Sequence, residues 1–141
     1  MSMENIEALC FILLLLFASI CDLRTRQIPN SLSLVITGVG LLQNSLFTAL
    51  IGLLITGLPY LLAAIFSSGK IGGGDIKLMA ACGVVLGPTY GTLQSILGLT
   101  LVLLFAWGAS FRHGHCSTSQ IALPLAPFLA VGGIAAYILS H

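Results

Sequence analysis

Residues 46–66 read LFTALIGLLITGLPYLLAAIF, an unbroken apolar run without one charged side chain. Its hydrophobic residues run continuously rather than alternating with polar ones, which selects helix over strand. Such a run is long enough to cross a bilayer, where about 20 residues rising ~1.5 Å each are needed. Lipid gives a bare backbone nothing to bond to, and a helix satisfies its own amides and carbonyls. Composition extends this reading to the whole chain. The 141 residues are 57% hydrophobic and 6% charged, against about 25% charged in a soluble domain. Five basic and four acidic side chains cannot cover a water-facing surface. The net charge of +1 gives nucleic acid no electrostatic reason to bind.

Working outward, a first span is predicted over Ile6 to Cys21 and a second, short one over Leu32 to Leu42, with Gln43-Asn44-Ser45 as a polar turn before the 46–66 run. The stretch from Ser67 to Asp75 is too glycine-rich for a stable helix interior. A fourth span covers Ile76 to Leu86 and stops near Gly87-Pro88. A fifth runs from Tyr90 to Phe111, and a sixth from Ile121 to Leu139 after a polar loop. The expectation is an all-α membrane protein, a polytopic bundle of about six transmembrane helices forming one domain over residues 1–141. The short second and fourth spans would be tilted, or would cross partially while buried in protein. The first run is not read as a cleaved signal peptide. Glu4 and Glu7 stand where a basic segment belongs, and Asp22 and Arg24 make a poor cleavage site.

All five basic residues fall in loops on one side of this arrangement: Arg24 and Arg26, Lys70 and Lys77, and Arg112. The opposite connections, Gln43-Asn44-Ser45 and Pro88-Thr89, carry none. The positive-inside rule then puts these loops in the cytoplasm and both termini outside it. Trp107 and Tyr90, near span ends, fit interfacial anchors. Gly83 and Gly87, four apart, suggest close helix packing more than dimerisation.

Apart from Glu4 and Glu7, read as a solvated cap, the acids are Asp22 and Asp75. Each lies at the cytoplasmic end of a predicted span, at similar depth, where an ionisable group is costly and a functional candidate by default. The plain alternative is a cap or an ion pair, Asp22 with Arg24 or Arg26 and Asp75 with Lys70 or Lys77. Asp75 also opens a helix, where the dipole favours a carboxylate. The wrapping argues for more. After Asp22, Pro29 biases Ile28 away from helix, and Asn30 or Ser31 is placed to cap the second span, giving a defined turn. Before Asp75, Gly72-Gly73-Gly74 remove side chains and permit positive φ, so an extended peptide backbone can approach the acid. Two carboxyls held close share a proton. One then activates water while the other donates to a carbonyl.

At these residues the chain resembles the type IV prepilin peptidases, of the GxGD aspartyl protease group. Asp22 with Ile28-Pro29-Asn30 is similar to that family's first motif, and Gly72-Gly73-Gly74-Asp75 with Ile76-Lys77-Leu78 to its second. Residues Pro124 to Ala130 resemble its carboxy-terminal Pro-x-x-Pro-Phe segment, in which Pro127 would be structural support. The resemblance implies an aspartic endopeptidase of the bacterial inner membrane with Asp22 and Asp75 catalytic, Gly72, Gly73 and Gly74 shaping the active-site loop, and no metal or cofactor. It implies cleavage of the short basic leader of prepilins or pseudopilins at the cytoplasmic face. Many family members carry an amino-terminal domain with paired cysteines and a second, N-methylating activity. This chain has no CxxC pair, so the expectation is the peptidase without the methyltransferase, like the short enzymes of tight-adherence pilus systems.

The remaining features point to less. Cys10, Cys21, Cys82 and Cys116 are scattered and read as small buried apolar residues. His113, His115 and Cys116 read as a surface loop with no fourth metal ligand in view. Arg24 and Lys77 are candidate substrate or lipid contacts, and Lys70 a lipid contact. Two rival functions exist. In a small transporter or channel the aspartates would relay protons or ions, but a relay should place acids toward mid-membrane. A non-catalytic pilus-assembly subunit would tolerate loss of both. Neither the particular prepilin nor the oligomeric state is encoded in these motifs.

Overall fold

The computed structural model describes residues 3–66, 71–112 and 125–140. These form five helical runs: α1 (Met3–Thr25), α2 (Asn30–Gln43), α3 (Leu46–Phe66), α4 (Gly73–Arg112) and α5 (Ala126–Ser140). Three stretches, Asn5–Thr25, Leu46–Phe66 and Gly73–Ala109, are long and apolar enough to cross a membrane. The last is not one rod. Gly87 has φ 72 and ψ −178, a conformation open to glycine and to little else. Pro88 follows it and cannot donate into a continuing ladder. A Cβ built on Gly91 would lie 3.3 Å from the Gly83 Cα, although eight residues of straight helix span ~12 Å. The chain therefore folds back at Gly87, and α4 is an antiparallel pair, α4a (73–86) and α4b (88–112). Five runs with the fourth split in two give the six helices expected.

The short helix α4a is the centre of the bundle. Leu78, Met79 and every residue from Ala81 to Gly87 are buried. Its packing is glycine-to-glycine against α3, where any Cβ on Gly83 would collide with the Thr56 hydroxyl and the Gly52 carbonyl. On another side Gly40 of α2 meets the Val84–Val85 backbone, with a Cβ there only 2.7 Å from the Val85 nitrogen. The predicted role of Gly83 in close packing is thus met within the chain, whereas Gly87 makes the turn. Ending α4a at the Gly87 turn strands its last carbonyls. Asn44 answers this by donating from Nδ2 to the Val84 and Val85 carbonyls at 2.9 and 2.7 Å. The expected polar turn at Gln43-Asn44-Ser45 is therefore also a cap for another helix.

Helix α1 closes the core with Phe11, Leu15 and Ala18, packing against α5 and α2, and Phe11 stacks on Tyr137 at 5.5 Å. Leu13, Leu16, Phe17, Leu50, Leu54 and Phe105 point outward and exposed, an apolar exterior suited to lipid. At the end far from the aspartates Gln43 donates to Glu7 at 3.0 Å, so Glu7 ties α1 to α2 rather than serving only as a solvated cap. Two further expectations need correction. Of the described cysteines only Cys82 is buried, Cys10 being exposed and Cys21 half-buried. Helical position, not residue type, decides this, because a lipid-facing site accepts cysteine as readily as a core site. Tyr90 is half-buried against the main core cluster, not an interfacial anchor, because it starts the helix that folds back onto α4a. Trp107 is exposed and packs edge-on against Phe111 at 5.2 Å.

Candidate active site

Asp22 lies in the last turn of α1 and is 6% exposed. The helix ends just beyond it because Arg26 turns left-handed, with φ 53. In that conformation the Arg26 amide donates back to the Asp22 carbonyl at 2.9 Å, a left-handed helix cap that glycine usually supplies. The chain then runs extended through Ile28 and Pro29 into α2. Pro29 itself holds the N-cap position of α2, and no side chain caps that helix. The expectation that Asn30 or Ser31 would cap it is corrected: α2 begins one residue earlier, and Asn30 Oδ1 accepts from Lys77 Nζ at 2.9 Å. That bond pins the start of α2 to the start of α4a.

Asp75 is the third residue of α4, and its amide donates to the Gly72 carbonyl at 3.1 Å. The three glycines before it do different things. Gly74 is where the two loops touch, since a Cβ there would lie 3.0 Å from the Ile28 Cβ and 3.3 Å from its nitrogen. Gly72 borders the acid, a Cβ there lying 3.4 Å from Asp75 Oδ2. Gly73 faces open space. Positive φ among the described glycines occurs only at Gly87, so the triplet is needed for room rather than for left-handed backbone. Gly73 and Gly74 also lie inside the first turn of α4 rather than before it.

The two acids come together. Asp22 and Asp75 line one cavity of about 280 Å³, with Arg26, Gln27, Ile28 and Asn30 from one loop and Gly72, Gly73 and Gly74 from the other. They are close enough for the charge on Asp22 to act on Asp75. The second Asp22 contact spans the sequence: the Ala126 amide, first in α5, donates to Asp22 Oδ2 at 3.0 Å. A carboxylate at a helix N-terminus meets free amides and the positive end of the dipole. Pro127 follows in that first turn, where a missing amide costs nothing. Asp75 Oδ1, by contrast, is buried without a partner among the described residues.

Of the flanking bases, Lys77 is directed to Asn30 and Arg24 is exposed. Among the described residues the base lining the cavity is Arg26, which the sequence offered as a loop charge and a possible partner of Asp22 rather than as a site residue. Lys70, Pro124, His113, His115 and Cys116 lie outside the described residues. The Ala126 amide was also missed, because a backbone donor leaves no mark in a sequence, although the proline-flanked start of α5 marked the place.

The fold and cavity define a helical membrane protein that brings two carboxyl groups to one polar opening at the end of its bundle. The chain belongs to the type IV leader peptidase family, which it matches over residues 9–111. It is 32% identical over 97% of its length to a prepilin leader peptidase/N-methyltransferase of Bacillus subtilis, spanning 57% of that protein. A protein of the same name from Burkholderia pseudomallei is 32% identical over 86% of this chain and 42% of its own. Another, from Pectobacterium carotovorum, is 31% identical over 94% and 51%. The chain thus spans about half the length of the curated relatives it matches. No solved structure matches it significantly.

Proposed function

We infer that this chain is an aspartic endopeptidase that removes the short basic leader of prepilin-like substrates at the cytoplasmic face of the inner membrane, without methylating the product. The observation that carries the reading is the shared cavity of Asp22 and Asp75, walled by glycines on one side. Glycine walls let an extended peptide backbone reach the carboxyls. In the reaction the two acids hold one proton between them. The ionised member takes a proton from water as that water attacks the scissile carbonyl, while the protonated member donates to the carbonyl oxygen. The Ala126 amide holds Asp22 Oδ2 in place, and the two carboxyls serve between them as base and acid. Both chain termini would lie outside the cytoplasm, with the basic loops and the cavity facing inward.

The test is purified protein in detergent with candidate prepilins, reading the new amino terminus by mass spectrometry. Cleavage at the leader junction, absent in Asp22→Asn and Asp75→Asn, is expected, and the product should carry no added methyl mass. Efficient processing by either asparagine variant would overturn the assignment.

A further inference from the structure

A third polar group, on α3, lies near Asp75. Helices α3 and α4a run antiparallel, and their register is fixed at two points. Gly52 packs on Gly83, and one turn further along α3 the Thr56 hydroxyl reaches the Met79 carbonyl at 3.1 Å. One more turn in the same register carries α3 to Tyr60 and α4a to Asp75. Tyr60 is 4% exposed, packed with Met79, Leu129 and Ile76. Its hydroxyl is buried and has no hydrogen-bond partner among the described residues, as is also true of Asp75 Oδ1. Asp75 Oδ2 is the oxygen on the Gly72 side. One helical level therefore holds a phenol donor and a carboxyl acceptor, neither with a closed hydrogen bond among the described residues. Both atoms are shielded from bulk water, and an unmade hydrogen bond in such a place is costly. The polar neighbour nearest to bonding the phenol is Ser95 of α4b, although no bond between them closes; Asp75 and Cys82 of α4a act on it through charge. Ser95 spends its own proton on the Gly91 carbonyl at 3.0 Å.

We propose that Tyr60 is a positioning residue for the acid pair: its hydroxyl donates, through one bridging water, to the inner oxygen of Asp75 and holds the other oxygen toward the cavity. This deepens the peptidase reading and rests on it for its catalytic consequence, though not for its geometry. The pairing is chemically matched, since a phenol donates and a carboxyl oxygen accepts in either protonation state. It would also stop the Asp75 side chain from rotating as a proton comes and goes.

Tyr60→Phe tests this, keeping the ring and its packing while deleting the hydroxyl. In the infrared spectrum of detergent-solubilised protein, acidified to protonate the pair, the carboxyl C=O band lost in Asp75→Asn belongs to Asp75. That band should move to higher frequency in Tyr60→Phe, because a hydrogen bond to the oxygen is gone. With a cleavable prepilin, kcat should fall about ten-fold with KM little changed, the signature of an interaction felt in the transition state. Ser95→Ala separates the neighbouring alternative. An unmoved Asp75 band in Tyr60→Phe, or a band moved equally by Ser95→Ala, would overturn the proposal. Should the chain cleave no prepilin while the band still moves, the peptidase reading falls and the Tyr60–Asp75 pairing stands.

Discussion

Asp22 accepts a hydrogen bond at 3.0 Å from the backbone of Ala126, a residue 104 positions away. The same carboxyl that faces the cavity thus also seats the last helix. Structure and chemistry are entangled at this residue, and a substitution must be chosen to separate them.

Asparagine keeps an acceptor for the Ala126 amide, whereas alanine does not. Asp22→Asn is expected to abolish cleavage with little change in thermal stability. Asp22→Ala should abolish cleavage and also lose about 1–3 kcal/mol, the usual cost of stranding a buried donor. Thermal unfolding in detergent, run beside the cleavage assay, checks the contrast. Equal stability in the two variants would remove Asp22 from any role in docking α5.

The glycines before Asp75 should respond unequally. Gly74→Ala must push Ile28 away and part the two loops, so cleavage should fall by ~10-fold or more, the scale reached when a mutation misplaces reacting groups. Gly73→Ala meets nothing within 4 Å, so it leaves the loop contact intact, and any loss it causes by narrowing the cavity wall should be smaller than that of Gly74→Ala. Matching losses in both variants would show that the triplet acts as a flexible unit rather than through the Gly74–Ile28 contact.

Two carboxyls sharing one proton impose a bell-shaped dependence of rate on pH. Lowering the pH protonates both and removes the base. Raising it ionises both and removes the acid. Both limbs belong to the pair, and kcat/KM measured across pH should show them. A rate that climbs to a plateau, with no alkaline decline before the protein unfolds, would mean a single ionised aspartate suffices.

The reversal at Gly87 can be tested by adding one methyl group. Gly87→Ala must hold φ near 72 against a side chain, which costs about 1–3 kcal/mol. The van der Waals neighbourhood is not the obstacle, because the nearest contact for a Cβ is Thr48 Cγ2 at 3.6 Å. Reduced thermal stability is expected, with D-alanine, introduced by semisynthesis, restoring it. A stable L-alanine variant would contradict the hairpin.

Much of this was legible beforehand, for physical reasons. Long apolar runs such as 46–66 have one outcome in lipid, so the helices and the Gly87-Pro88 break could be read directly. The two acids stood out because ionisable groups are so scarce here. What escaped were relationships set only by tertiary register. Tyr60 lies in an apolar run and announces nothing by itself. Its alignment with Gly52 and Thr56 at four-residue spacing marked one face, but the partner of that face depended on the glycine contacts of α4a. Cys10 shows the converse limit. In a membrane chain, hydrophobicity does not tell inside from outside, since core and lipid accept the same residues.

Helix α4a spans 14 residues, from Gly73 to the turn, or roughly 21 Å at the standard rise, and its inner length is wrapped by neighbouring helices. Bilayer thickness therefore presses on α1 and α3, which tilt to accommodate it, while the element bearing Asp75 takes its depth from protein contacts. A carboxyl suspended in this way is insulated from acyl-chain length, so the proposed proteolysis should proceed at similar rates in thin and thick membranes.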